Sequence, residues 1–183
     1  KGIPGDWRCV KEAGGGMLLD WGVHLIDQIM WLVKSPVKEV YAHLLSVKFP
    51  EVDDNFKLLL RFENGLSALV EVDTYTFINL PRWHVSGDAG TLQIDSFGCE
   101  GKIVRAKTSE MHWEAGIVYT VAGPTRTMAP RPQETIEEIA LPEVQTDARD
   151  YYRNFRDADL GKAELIVKPE EALRVMRVID AVF

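Results

Sequence analysis

The chain has 183 residues, 46% hydrophobic and 27% charged, which suits one globular domain with a core of its own. Its net charge of −7 and pI near 5.1 argue against a nucleic-acid backbone or an anionic membrane surface as partner. The longest apolar run is interrupted by Asp20, His24, Asp27 and Gln28, so nothing reads as a membrane span, and no signal peptide is evident.

In chain order, the opening KGIPGDWR is loop-like and starts on Lys1, so the chain reads as cut from a longer protein. The spacing then predicts a helix over 16–33, stopped at Ser35 because a residue before proline is pushed out of the helical region. Residues 37–49 and 55–65 predict strands, and 66–77 follows the Asn64-Gly65 turn as a third. In the second strand Phe56, Leu58, Leu60 and Phe62 point one way and Lys57, Leu59 and Arg61 the other. Residues 82–95 predict two short strands about a Gly87-Asp88-Ala89-Gly90 turn, and 102–107 and 117–121 predict two more. Proline-bearing 123–146 reads as an irregular connection.

Two helices close the chain. The first covers 147–161 and ends on Gly161; the second opens on Pro169, with Glu170 and Glu171 at the positive end of its dipole. Its predicted apolar stripe is Ala172, Leu173, Val175, Met176, Ile179 and Val182, with Arg174 and Arg177 on the solvated face. Consecutive strands without helices between them predict an α+β fold, an open and mostly antiparallel sheet with helices on one face, in one domain over 1–183.

The first helix carries the chemistry. Asp20, His24 and Asp27 fall at i, i+4 and i+7, within roughly 60° of one another at about 100° per residue, and Trp31 ends the same stripe. Leu18, Leu25, Ile26, Ile29 and Leu32 occupy the other side and are expected to bury against the sheet. Three readings compete for the stripe. It is a structural network with Asp20 bonded to His24, two ligands of a metal site, or an acid/base pair in which Asp20 orients the imidazole. A metal lacks a recognisable third ligand. Gly14, Gly15 and Gly16 favour the acid/base pair, because glycines let a backbone approach a ligand closely, and Gly22 marks close packing against another backbone.

GDWR followed by GGGMLLDWGVHLIDQIMWL resembles the start of the C-terminal domain in the Gfo/Idh/MocA oxidoreductases, the glucose-fructose oxidoreductase and inositol dehydrogenase family. The tail DYYRNFRDADLGKAELIVKPEEALRVMRVIDAVF resembles that domain's closing helices. The resemblance implies a C-terminal-like fold of the dihydrodipicolinate reductase and glucose-fructose oxidoreductase kind. It implies an upstream Rossmann domain that binds NAD or NADP, and hydride transfer at a hydroxyl-bearing carbon of a sugar or polyol. By the resemblance His24 matches the catalytic histidine and Asp20 the acidic residue before it. Asp27 also fits the motif, as a substrate contact or a packing residue. The family's catalytic lysine belongs upstream, since Lys168-Pro169 follows Val167 and opens a helix. No strand-linked Gly-x-Gly-x-x-Gly occurs here, so the Rossmann fold is absent and no nicotinamide cofactor is expected on this chain alone.

Trp7 and Arg8 are the next candidates: Arg8 as a bidentate holder of an anionic group, or as a surface stem covering Trp7. Tyr75 is either a site residue or sheet core, and His43, His84 and His112 have no carboxylate at useful spacing. Cys9 and Cys99 lack metal or disulfide-framework spacing, which points to the reducing cytoplasm. Val40, Ala42 and Leu44 alternate with Tyr41, Leu45 and Val47, and Leu59 and Leu69 break the polar side of other strands, which predicts an apolar patch and a homodimer or tetramer through the sheet, a tendency the resemblance shares. The expected function is the substrate and oligomerisation domain of an NAD(P)-dependent oxidoreductase, with its own Rossmann domain as partner. The alternative is a non-catalytic binding or scaffold module on the same fold.

Overall fold

The alternation over residues 56–62 demands one covered face and one open face. Phe56, Leu58, Leu60 and Phe62 are buried, while Lys57, Leu59 and Arg61 are exposed. The computed structural model describes residues 5–107, 116–126 and 132–183, so His112 lies outside the described residues. The chain divides into two compact units, Lys1–Phe77 with Asp147–Phe183, and Ile78–Thr146.

In the first unit β2 (Asn55–Phe62) is the centre of an antiparallel three-stranded sheet, between β1 (Val37–Leu45) and β3 (Ser67–Asp73). The Asn64-Gly65 turn joins β2 to β3, with Gly65 left-handed at φ +87° and the Phe62 N–H on the Leu66 carbonyl at 2.8 Å. A helical layer covers the inner face. Leu18, Ile26, Ile29 and Met30 are buried on the first helix, whose regular part is α1 (Val23–Leu32). Val175, Val178 and Ile179 are buried on the last helix, which packs against α1.

Two predicted faces need correction. Leu32 is 66% exposed and Met30 is buried in its stead, at the helix end where the backbone turns extended at Val33 (ψ 99°). On the last helix Ala172, Leu173 and Met176 face solvent and Val178 faces inward. Packing against α1 rotates that helix, and Arg174 reaches the Ser35 carbonyl at 3.4 Å rather than lying on a solvated face. Between these elements lies α2 (Arg149–Asp159), which buries no residue and closes on left-handed Gly161 at φ +67°. The Asn154 amide ties the following loop down, donating to the Glu164 carbonyl at 2.8 Å and accepting from the Ile166 N–H at 2.9 Å. The last helix is α3 (Pro169–Asp180), opened by Pro169 and by a bond from the Lys168 N–H to the Glu171 carboxylate at 3.0 Å.

Among its described residues the second unit holds strands and one short 3₁₀ turn, Gln133–Thr135, and no α-helix. β4 (Trp83–Ser86), β5 (Gly90–Ile94), β6 (Gly101–Ala106) and β9 (Ile136–Ala140) form one antiparallel sheet. β7 (Ile117–Thr120) and β8 (Gly123–Arg126) form a separate hairpin. The segment 123–146 therefore holds two strands where an irregular connection is predicted. IEEIA is too short to read alone, and its partner β6 is some thirty residues away; pairing is fixed by Lys102 to Glu138 at 2.9 Å and by Arg105 to Glu137. The antiparallel α+β class holds, with the described strands shared among three sheets. Among the described residues no helix is long and apolar enough to cross a membrane.

These assignments predict a contrast. Leu58→Ala in the inner face should cost about 2–5 kcal/mol, whereas Leu32→Ala should cost under about 0.5 kcal/mol. Urea unfolding of the two variants against wild type checks it.

Candidate functional site

The site is assembled from the N-terminal turns and the head of the first helix. Asp6 starts a 3₁₀ turn, Trp7–Cys9, by accepting from the Arg8 N–H at 3.1 Å. A second turn, Lys11–Ala13, ends at left-handed Gly14 (φ +77°), and the chain doubles back. The Gly15 N–H then bonds the Val10 carbonyl at 3.0 Å, and the Gly16 N–H bonds the Arg8 carbonyl at 2.9 Å.

This return leaves no space for side chains. A Cβ on Gly15 would lie 2.6 Å from the Arg8 carbonyl oxygen and 2.8 Å from that of Trp7. One on Gly16 would lie 2.3 Å from an Asp53 carboxylate oxygen, and Gly16 has φ +114°. The glycines thus admit the chain's own backbone and a buried carboxylate, which corrects the reading that they open a path to a ligand. Gly22 likewise meets side chains, not a backbone: a Cβ there would be 2.8 Å from Leu18 Cδ1 and 3.3 Å from Phe56 Cζ.

The helix predicted as one regular element begins with a π turn, Leu18–Gly22, before α1 takes over. Such turns carry one more residue than an α turn and recur at functional sites. Asp20 sits within it, half-buried, and Arg8 Nε donates to its carboxylate at 2.7 Å. Arg8 also reaches Asp6 at 3.4 Å and lies 4.6 Å from the centre of the Trp7 ring. The hydrogen bond to Asp20, aided by both aspartates' charge, holds the guanidinium pKa above its ordinary value. Trp7, Arg8 and Asp20 are therefore one assembly.

His24 follows one turn later at the start of α1, exposed, and makes no hydrogen bond among the described residues. The partner of Asp20 is Arg8, so the expected Asp20–His24 bond is not what orients the carboxylate. Asp27 is exposed on the next turn, and Trp31 is exposed beneath the Lys34 ammonium, 5.5 Å from its ring centre. The polar stripe does face away from the core. Of the remaining candidates, Tyr75 lies beyond the end of β3 with its hydroxyl 3.5 Å from Asp54. His43 and His84 are exposed, His84 within 3.2 Å of the Ser86 hydroxyl. Among the described residues no three His, Cys, Asp or Glu gather as a metal site would require.

Two acids escape sequence reasoning. Asp53 and Asp54, just before β2, are buried at 8% and 4% exposure. Asp53 accepts from the Leu18 N–H at 2.8 Å, and burial, opposed by that bond, raises its pKa. Burial presses on Asp54 too, but bonds from the Val47, Lys48 and Phe49 N–H groups outweigh it and lower its pKa. The available signal is an acid pair flanked by Val52 and Phe56, an awkward place for charge unless it is capping backbone.

Comparison with known proteins identifies the family. A model of the GFO/IDH/MocA C-terminal domain matches residues 2–93. The scyllo-inositol 2-dehydrogenase (NADP(+)) IolW of Bacillus subtilis strain 168 is 27% identical over 177 residues, 96% of this chain and 48% of that protein. The crystal structure of an NAD-binding protein from Listeria innocua is 44% identical with a TM-score of 0.89, covering 100% of this chain and 53% of its own. An oxidoreductase structure from Bacillus cereus shares the fold at a TM-score of 0.68 and 17% identity, over 92% of this chain and 56% of that one. The chain thus spans about half the length of the relatives it matches. By the match that covers half its residues, it belongs to the GFO/IDH/MocA family of oxidoreductases, to whose C-terminal domain it corresponds.

Proposed function

We propose that this chain is the substrate half of an NAD(P)-dependent dehydrogenase acting on a hydroxyl-bearing carbon of a sugar, polyol or related small molecule. The observation that carries the reading is the head of the first helix: an exposed imidazole, His24, one turn past a carboxylate that Arg8 holds at 2.7 Å. An imidazole can take up and return the proton of a substrate hydroxyl. Asp20, pinned through one oxygen by Arg8, keeps the other for a substrate hydroxyl. Trp7 and Arg8 lie beside Asp20, and Asp27 extends the exposed polar stripe by one turn. Likeness to a scyllo-inositol dehydrogenase supports a polyol as the substrate class.

The glycine run does not fit a dinucleotide. Gly15 is closed by the Trp7 and Arg8 carbonyls and Gly16 by Asp53, so no backbone cradle is left for a pyrophosphate. The cofactor is held outside this chain, and the nicotinamide supplies the hydride acceptor or donor. The chain's own part is to bind and orient the substrate and move its hydroxyl proton through His24.

The outer face of the three-stranded sheet supports assembly. Tyr41, Leu59 and Leu69 stand opposite one another across the three strands, all exposed. The rows on either side are ion pairs, Glu39 with Arg61 and Lys57 with Glu71 at 3.0 Å. A second copy laid sheet to sheet covers this row while His24, on the helical side, stays open.

Three outcomes are expected. The 183-residue chain alone should show no saturable NADH or NADPH binding by calorimetry; micromolar saturation would end the two-domain reading. In the full-length protein, assayed with scyllo-inositol and NADP(+), His24→Ala should lower turnover about 10²- to 10⁴-fold, and Asp20→Asn should lower it with unchanged circular dichroism. Undiminished turnover in His24→Ala would favour the non-catalytic module. Light scattering should give a dimer or tetramer mass for wild type and a monomer mass for Leu69→Glu; a wild-type monomer at high micromolar concentration would remove the sheet interface.

A further inference from the structure

We infer that Asp53 is a positioning residue for the proposed site, a two-point clamp that fixes where the helix bearing Asp20 and His24 begins. The inference rests on the reading above only for the importance of that helix; the clamp itself is geometric. The Met17 N–H donates to the Asp53 carbonyl at 2.9 Å, and the Leu18 N–H donates to its carboxylate at 2.8 Å. Both donors belong to the first turn of the helix, whose N–H groups have no partner within it. Asp20 lies two residues further on, inside the π turn.

A clamp works only if its own base is rigid, and this one is tied from behind. Asp54 gathers the Val47 and Lys48 N–H groups at 2.9 and 2.6 Å, folding the β1–β2 loop onto itself. The Thr74 hydroxyl donates to the Asp54 carbonyl at 3.0 Å, and the Thr74 N–H donates to the Asn55 side chain at 2.7 Å, joining the loop to the end of β3. Asp53 therefore carries the position of the sheet to the helix. Gly16 completes the device, since only an absent side chain lets the carboxylate reach Leu18.

Burying a carboxylate merely to cap a helix is costly, and an exposed Ser or Asn at the helix start would cap it more cheaply. What the buried aspartate adds is a fixed link over thirty-five residues of chain, between a loop of the sheet and the turn that holds Asp20. The bond needs an acceptor rather than a charge, so Asn in place of Asp53 keeps it.

The test uses the isotope-labelled 183-residue chain and three variants. Asp53→Ala should speed amide exchange at residues 17–22 roughly ten- to a hundredfold, the range set by one lost buried hydrogen bond, and should shift the His24 ring resonances. Asp53→Asn should restore both. Gly16→Ala, which pushes on the carboxylate from the other side, should reproduce the alanine effect even if Asp53→Ala fails to fold. In the full-length protein with scyllo-inositol and NADP(+), Asp53→Ala should lower kcat up to about a hundredfold with a smaller change in KM. Unmoved exchange and unmoved His24 signals in Asp53→Ala, or in Gly16→Ala if only that variant folds, would overturn the clamp. If they move but His24→Ala turns over normally, the clamp stands and the catalytic reading falls.

Discussion

The distance between the first helix and the three-stranded sheet is set where the ring of Phe56 meets Gly22. Phe56 is fully buried at the start of the central strand, and a single Cβ on Gly22 would press on both its ring and Leu18. Protein interiors are packed as densely as organic crystals, so a methyl group at this contact must move something. The helix would have to rise, and Asp20 and His24, on either side of Gly22, would rise with it. Glycine in mid-helix costs about 1 kcal/mol in propensity. Here that loss is exchanged for a close approach on which the height of the site depends.

Around that contact the polar groups divide by role. Asp53 and Asp54 point inward and serve the backbone; Asp20 is shared between the protein and its surroundings; His24 and Asp27 point out. The Arg8–Asp20 pair is partly exposed, so its main effect is geometric rather than energetic. It carries the N-terminal turn onto the helix and holds the carboxylate in one orientation. The glycines between them are the hinge of that return: Gly15 lets the two backbone passes touch, and left-handed Gly14 turns the chain.

Much of this is legible in the sequence, and for identifiable reasons. The strand of alternating Phe and Leu, the Asn-Gly turn, the proline-opened last helix and the outward polar stripe all follow from local periodicity. The face of α3 did not, because Val178 rather than Met176 is inward only once α1 is packed beside it. β9 was hidden because five residues with two glutamates become a strand only opposite Lys102 and Arg105. Spacing favours the neighbour on the same helix as the partner of Asp20, whereas Arg8 arrives by a chain reversal that spacing does not reveal. Asp53 was missed for a like cause: the N–H groups it serves lie far back in the sequence.

The π turn has a consequence for how such a site can change. It holds one residue more than an α turn, so it behaves as an insertion absorbed without breaking the helix. Loss of a single residue from Leu18–Gly22 would restore α geometry and leave the core anchors Ile26 and Ile29 in place. The segment before the turn would nearly keep its facing, because the wider turn already absorbs the extra residue, and the residues inside the turn, Asp20 among them, would change direction. Asp20 would then face a different direction relative to His24, with both residues still present. A change in length alone could therefore turn the acid relative to the imidazole, with no change in chemical identity.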